Sequence, residues 1–115
     1  MDQTDERLLS DFAKGKRDGF DLLYQRHEQA LLSFLISLTR DQAAAEDIFQ
    51  RTWIRIIEKA SSFRSSGTFK SWLFQIAYRT WIDEKRHRWN SLRKDLSEED
   101  LRQVQEKNMN PSTQE

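Results

Sequence analysis

Apolar residues recur at spacings of three and four along most of the chain, which is the period of an amphipathic α-helix. The pattern predicts a short first helix over residues 5–14, ended by Gly15, a residue that tolerates the left-handed conformation of a C-cap. It predicts a long second helix over residues 20–38 and a third over residues 42–60, with Asp41 as N-cap. These elements indicate a helical bundle.

Each predicted helix has one stripe of residues that faces the core. His27 lies on the stripe of the second helix, with no second His, Cys or carboxylate at ligand spacing on it, so a core histidine is favoured over a metal ligand. The stripes of the second and third helices are Phe20, Leu23, Tyr24, His27, Leu31, Phe34, Leu35 and Leu38, and Ala45, Phe49, Thr52, Trp53, Ile56 and Ala60.

A fourth helix is predicted after Thr68, its N-cap, and it differs from the others in its outer face. Phe69, Leu73, Ile76, Ala77 and Thr80 form its core stripe. A solvated face does not need aromatic rings among its cations, whereas a groove for unpaired nucleic acid uses rings to stack on bases and cations to follow phosphates. The outer face holds Gln75, Tyr78, Arg79, Ile82, Lys85, Arg86 and Trp89, with Trp72 and Trp81 at its borders.

Two further segments each have two interpretations. Phe63 is the one apolar residue of the polar loop at residues 61–67, and it either plugs the end of the bundle or shapes a pocket. The outer face of the third helix mixes polar residues with one isoleucine, as protein-docking surfaces do, but on the sequence alone a solvated face is the simpler interpretation. That face is formed by Asp47, Gln50, Arg51 and Ile54.

Charge divides the chain although its net charge is zero over 115 residues. Residues 1–62 hold 9 Lys/Arg against 11 Asp/Glu, residues 63–94 hold 8 against 2, and residues 95–115 hold 2 against 6. Such a concentration of positive charge indicates a polyanionic partner for the middle block.

Composition excludes several classes of protein. The chain has no cysteine, so disulfides and thiolate metal sites are excluded, and a reducing compartment is favoured. No phosphate-binding loop, metal-protease motif or converging pair of carboxylates is present, so we expect no catalytic residue, no metal and no cofactor. No apolar segment reaches the roughly 18 residues of a membrane span. We expect a soluble, cytoplasmic, all-α protein without enzymatic activity.

The apolar pattern fades after Trp89. We therefore expect a helical domain over residues 1–90 and a weakly ordered tail, partly helical or disordered, over residues 91–115.

Two linked motifs resemble conserved region 2 of bacterial RNA polymerase sigma factors, and most of all the extracytoplasmic-function group. The first is AEDIFQ at residues 45–50 with TW at 52–53. The second is FKSWLFQIAYR at residues 69–79, followed by Asp83, and FDLLY at 20–24 matches the start of that group's second helix. Arg51 and Arg79 depart from the pattern, which commonly has Glu and Asn there.

The resemblance implies a four-helix fold and two interfaces. The face formed by Asp47, Gln50, Arg51 and Ile54 would bind the coiled coil of the polymerase β′ subunit. The loop and the fourth helix would open promoter DNA at the −10 element and hold the non-template strand with one base flipped into a pocket. The residues implied for DNA are Phe63, Arg64, Ser65, Ser66, Trp72, Gln75, Tyr78, Arg79, Lys85, Arg86 and Arg88.

The resemblance also implies partners and leaves alternatives. Sigma factors of this group are often held by anti-sigma proteins, and they normally continue into a domain that reads the −35 element, to which the segment after Asn90 would be the linker. The alternatives are a helical single-strand binder unrelated to polymerase and a protein-interaction bundle. The single-strand binder would still bind nucleic acid after loss of its third-helix face and would not contact β′. The interaction bundle would not bind nucleic acid even at low salt.

Overall fold

A computed structural model describes residues 3–64, 67–95, 98–100 and 102–103. Its helices are α1 (Asp5–Ala13), α2 (Asp18–Thr39), α3 (Gln42–Lys59) and α4 (Phe69–Asp95), with a short 3-10 helix at Ala60–Ser62 after α3. No strand occurs in these ranges. The predicted all-α bundle of about four helices is confirmed.

The helix ends follow local hydrogen bonding. Thr4 Oγ1 accepts the Arg7 N–H at 3.1 Å, and Asp41 Oδ1 accepts the N–H groups of Ala43 and Ala44. These are the orphaned donors of a first helical turn. Gly15 has φ 102°, as predicted for the segment that ends α1. The left-handed Arg40 (φ 56°) was not predicted, and its N–H closes α2 on the Ile36 carbonyl at 2.7 Å.

The helix bounds differ from the prediction mainly at α2 and α4. α2 begins two residues early, at Asp18, and Gly19 in its first turn lies against Leu8 of α1: a Cβ at Gly19 would come within 3.0 Å of a Leu8 side-chain carbon. Glycine therefore permits the close crossing of α1 and α2. α4 continues to Asp95, beyond the end of the apolar pattern.

The described residues fall into two compact units, one up to Ile82 and one from Asp83. The first unit contains the core, to which all four helices contribute. The predicted stripes supply most of it, and the buried apolar residues are Leu8, Leu9, Leu23, Leu31, Leu35, Ala45, Ile48, Phe49, Trp53, Ile56, Ala60, Phe69, Leu73, Ile76 and Ala77.

Some residues expected in the core lie at its edge. Tyr24 is 37% exposed, because its ring packs on Phe49 and Trp53 from outside, at centroid distances of 5.7 and 5.1 Å. An amphipathic tyrosine buries its ring and leaves its hydroxyl in water. Phe20, Phe34 and Leu38 are half-buried and pack against the edge of the core, Phe20 on Phe12 and Trp53 and Phe34 on Phe74.

Polar contacts attach α1 to the helices around it. His27 Nε2 lies 2.7 Å from Asp5 Oδ2, and Arg26 Nη1 donates to Asp5 Oδ1 at 2.9 Å. His27 is 8% exposed and its ring packs on Phe69, as expected for a core histidine. The contact with Asp5 shows how its polar edge is satisfied.

The second unit contains the C-terminal part of α4. Its residues up to Lys94 are mostly exposed, and Arg88 Nε lies 3.9 Å from Glu84 Oε1, one helical turn away. Residues 98–100 and 102–103 are also helical, while the rest of the predicted tail beyond Asp95 lies outside the described residues. The domain boundary at residue 90 stays a prediction.

The Asp5 carboxylate predicts an acid-sensitive fold. Partial burial opposes its ionised form, but hydrogen bonds from Arg26 and His27 outweigh burial and lower the pKa of Asp5. Its contribution to stability should be complete above the unfolded pKa of about 3.9 and disappear as pH falls through the lower folded pKa.

We expect Asp5→Asn to lower the free energy of unfolding by about 1–2 kcal/mol at pH 6 and by much less at pH 2–3, measured by urea denaturation. Asp11→Asn is the matched control, because Asp11 also lies on α1 but pairs only with the exposed Arg7 at 3.5 Å. Equal losses at both pH values would show that the carboxylate charge of Asp5 does not stabilise the fold.

Candidate nucleic-acid interface

The start of α4 is held by a residue near the beginning of the chain. Glu6 of α1 accepts the Phe69 N–H at 2.7 Å, and Thr68 Oγ1 accepts the Ser71 N–H at 3.1 Å. Two donors of the first turn are thus satisfied, and a carboxylate lies at the positive end of the helix. The contact positions the loop before α4, where the sequence predicts a pocket.

The first unit displays the two faces of α4 that the sequence predicts. Phe69, Leu73, Ile76, Ala77 and Thr80 are all buried, and Thr80 Oγ1 donates to the Ile76 carbonyl at 2.7 Å. The predicted outer residues Gln75, Tyr78 and Arg79 are exposed, Tyr78 by 47%. The border residues Trp72 and Trp81 are half-buried, and so is Ile82, which was predicted on the outer face. The ring of Tyr78 and the cation of Arg79 therefore face outward together, with two half-buried tryptophans beside them.

A cleft of about 290 Å³ lies where the loop meets α4; we call it the loop cleft. Phe63 and Trp72 form an edge-to-face pair in its wall, with centroids 5.1 Å apart. Phe63 is half-buried, packs against the core and also lines the cleft, so it has features of both interpretations. Ser65 and Ser66 lie outside the described residues. The described lining is Ser62, Phe63, Arg64, Gly67, Thr68, Ser71, Trp72 and Gln75.

A smaller basic cleft of about 180 Å³ shares Ser62, Trp72 and Gln75 with the loop cleft. Arg55 and Lys59 of α3 and Arg79 of α4 contribute three cationic side chains to its wall. Neither Arg55 nor Lys59 was predicted as a site residue. Their spacing of four places them on one face at the C-terminal end of α3, but only the packing of α3 beside α4 reveals a shared cleft.

The predicted docking face of α3 is exposed along its length. Asp47 Oδ2 pairs with Arg51 Nε at 3.0 Å, Gln50 lies beside them, and Ile54 is 55% exposed. Ile57, one turn further along α3, is 46% exposed and enlarges the apolar part of this face. This face of α3 therefore has an apolar centre flanked by charged side chains.

In the second unit, Lys85, Arg86 and Arg88 of α4 are exposed. Arg88 faces the half-buried Glu84, but a separation of 3.9 Å and the exposure of the guanidinium leave the pair weak. These three side chains therefore place positive charge at the surface of this unit.

Two other functional classes find no support in the part of the chain that the structure describes. No cluster of three or more His, Cys, Asp or Glu side chains is arranged to bind a metal ion there. None of the described helices combines the length and apolarity required to cross a bilayer.

Comparison with known proteins defines the class. Residues 23–91 match the Sigma-70 region 2 family, which is more than half of the chain and includes both predicted motifs. The chain belongs to the Sigma-70 region 2 family. Sigma factors are transcription initiation factors rather than enzymes, in agreement with the expectation of no catalysis.

Individual relatives support the extracytoplasmic-function resemblance. The chain is 38% identical over 63 residues to the ECF RNA polymerase sigma factor SigM of Bacillus subtilis, covering 55% of this chain and 38% of that protein. It is 27% identical over 78 residues to the RNA polymerase sigma-H factor of Pseudomonas aeruginosa, covering 68% and 40%. The chain thus spans about 40% of the length of such relatives.

A solved structure has the same fold. It is the NMR structure of an engineered region 2 of sigmaE in complex with GTAAAA, with a TM-score of 0.70 and 24% identity. The alignment covers 78% of this chain and 94% of that one.

The Glu6 contact predicts a change that is largest at the start of α4. In Glu6→Ala, the Phe69 N–H loses its acceptor, so its amide should exchange with solvent at least about tenfold faster, and stability should fall by about 1–2 kcal/mol. Hydrogen exchange followed by NMR measures both effects.

Glu28→Ala is the control for Glu6→Ala, because Glu28 is a half-buried glutamate on α2. Unchanged protection of the Phe69 amide in Glu6→Ala would rule out Glu6 as the group that holds the start of α4.

Proposed function

We propose that this chain is the part of an extracytoplasmic-function sigma factor that docks on RNA polymerase and captures the melted −10 element. The observation that carries the proposal is the exposed face of α4, where Tyr78 and Arg79 line clefts that share Gln75 with the ring-walled loop cleft. Family membership supports promoter recognition in general, and the arrangement of rings and cations supports single-strand capture.

The loop cleft is proposed to receive one flipped base of the non-template strand. Phe63 and Trp72 offer ring surfaces, and the Gln75 amide offers both a donor and an acceptor to a base edge. Unstacking a base costs a few kcal/mol, and stacking on an aromatic ring returns about 1–3 kcal/mol. One pocket therefore roughly balances one flip, and further contacts must supply the net affinity.

Cationic residues around the clefts are proposed to contact phosphates. Arg64 borders the loop cleft, and Arg55, Lys59 and Arg79 border the basic cleft. Lys85, Arg86 and Arg88 of the second unit are proposed to contact DNA phosphates as well. Such contacts release counterions, so binding should weaken steeply with salt. Ser65 and Ser66, in the loop, are proposed to complete the pocket.

The α3 face is proposed to bind the coiled coil of the polymerase β′ subunit. Ile54 provides an apolar centre, and Asp47, Gln50 and Arg51 provide a polar rim, which is the usual anatomy of a protein interface. Arg51, where the family pattern commonly has Glu, pairs with Asp47, so the ion pair presents both signs of charge to the partner.

Other parts of the proposal follow from these two interfaces. A protein that works on polymerase and promoter DNA acts in the cytoplasm, and an anti-sigma protein that covers the same faces would inhibit it. Residues 1–90 are proposed to act as the working domain and residues 91–115 as the start of a linker.

The docking proposal is tested by Asp47→Arg. Reversing this charge breaks the Asp47–Arg51 pair and places like charges at its rim, so capture by the β′ coiled coil in a pull-down should fall at least about tenfold. Binding of single-stranded oligonucleotides should be unchanged.

Asp21→Arg, an equal reversal on the exposed side of α2, should leave capture intact. Full capture by Asp47→Arg, or an equal loss in both variants, would refute docking through this face. Strand binding without any capture by wild-type protein would favour a single-strand binder unrelated to polymerase.

The strand-capture proposal is tested by Tyr78→Ala and Arg79→Ala. Each should weaken binding of a labelled single strand about 5–50-fold through lost stacking or a lost phosphate contact, while the helical circular dichroism signal persists because both residues are exposed. Arg79→Ala should also reduce the slope of log K against log salt by about 0.7.

Lys16→Ala removes an exposed cation from the turn between α1 and α2 and is the control. Unfolding of Tyr78→Ala and Arg79→Ala would mark both as core residues, and unchanged affinity would remove them from the strand's path.

A further inference from the structure

The outward side of α2 takes part in neither proposed interface. Seven exposed residues of α2 and its C-cap lie there within about 80° of one another on a helical wheel, and we call them the α2 seam. They are Asp18, Leu22, Gln25, Gln29, Ser33, Ile36 and Arg40. None of them lines the loop cleft or the basic cleft, and none belongs to the α3 face.

The α2 seam carries little charge for the outside of a helix. Leu22 and Ile36 are each 37% exposed, and residues 29–39 contain no charged side chain. The solvated face of an amphipathic helix normally carries charged and polar groups. A neutral face with aliphatic side chains is instead suited to pack against another helix.

The spacing of the α2 seam is the same in both directions from its central residue, Gln29. Its members follow at offsets of 4, 7 and 11 positions on each side. They are Ser33, Ile36 and Arg40 after Gln29, and Gln25, Leu22 and Asp18 before it. Such a helix can pack against a second copy of itself in antiparallel orientation, because a twofold axis at Gln29 exchanges the two halves.

The chemistry at the exchanged positions is complementary. The axis would bring Asp18 of one copy to Arg40 of the other, which pairs an acid with a base, and Leu22 to Ile36. The remaining positions are polar and uncharged. Gln25 would meet the hydroxyl of Ser33, and Gln29 would meet its own copy, since an amide is both a donor and an acceptor. No pair of exchanged positions brings like charges together.

We propose that the α2 seam is a self-association surface, on which two copies of the chain pair with their α2 helices antiparallel. The occupant is a second copy because the seam is complementary to itself in charge and in apolar character. One pair of helices buries less surface than a standard interface of about 1,600 Å², so the dimer should be weak and form at high protein concentration. The inference goes beyond the proposed function and does not rest on it, since the two use different residues.

Charge reversal tests the ends of the seam, with self-association of the full chain measured by sedimentation velocity up to millimolar concentration. Asp18→Arg places two arginines together at each end of the pair, and Arg40→Asp places two aspartates there. Either variant alone should associate at least about tenfold more weakly than wild type. An equimolar mixture of the two should recover the wild-type association, because opposite charges then meet at both ends. Recovery in the mixture also shows that both variants are folded.

Ile36→Glu tests the apolar part of the seam. The introduced carboxylate would be buried against Leu22 of the second copy, so association should be lost. Ile54→Glu is the matched control, because Ile54 is an exposed isoleucine on α3, and it should leave association unchanged.

The chain has no cysteine, so one introduced thiol reports the register of the pair. Gln29→Cys lies on the proposed twofold axis and should give a disulfide-linked dimer under mild oxidation. Leu22→Cys should not, because its two copies would lie about 21 Å apart along the paired helices. A disulfide spans a Cα separation of at most about 7 Å.

Several outcomes would overturn the inference. A wild-type chain that stays monomeric at every concentration does so, and so does association that neither charge variant weakens or that their mixture does not recover. Loss of association in Ile54→Glu would move the contact to the α3 face, and equal cross-linking of Gln29→Cys and Leu22→Cys would refute the antiparallel register. None of these results bears on β′ capture or strand binding, which use other surfaces and are measured separately.

Discussion

The geometry of the fold depends on two carboxylates near the start of the chain. Asp5 binds His27 and Arg26 of α2, and Glu6 accepts the first amide of α4, both at 2.7 Å for the shortest contact. A short helix such as α1 has little apolar surface of its own beyond Leu8, Leu9 and Phe12. The hydrogen bonds of its two carboxylates are charged and half-buried. They therefore fix how α1 packs, because they can form in only one placement of α1 against α2 and α4.

The same contacts connect stability to the candidate interface. Glu6 holds the first residue of α4, and the loop cleft begins immediately before it, at Gly67 and Thr68. His27 packs its ring on Phe69 from the other side. The start of α4 is thus held by α1 and α2, while its outer face stays open. A preformed surface of this kind binds without a large ordering cost.

Three clefts meet around Gln75, and each offers different chemistry. The loop cleft has an aromatic pair, the basic cleft has three cations, and a third cleft has the rings of Phe34, Phe74 and Tyr78 with a polar rim. A single strand also alternates between flat apolar bases and charged phosphates. These surfaces match the repeating chemistry of a strand, which supports the proposal that the outer face of α4 contacts one.

The amino-acid pattern by itself determined the helices, their core stripes and the outward position of Gln75, Tyr78 and Arg79, because a helical period specifies which residues share a face. Two motifs were also sufficient to identify the family. Only the tertiary structure decided what lies opposite each face. Asp5 meets His27 across 22 residues and Glu6 meets Phe69 across 63. Arg55, Lys59 and Phe34 reach the clefts because α2 and α3 pack beside α4, and no local period encodes such contacts between distant segments.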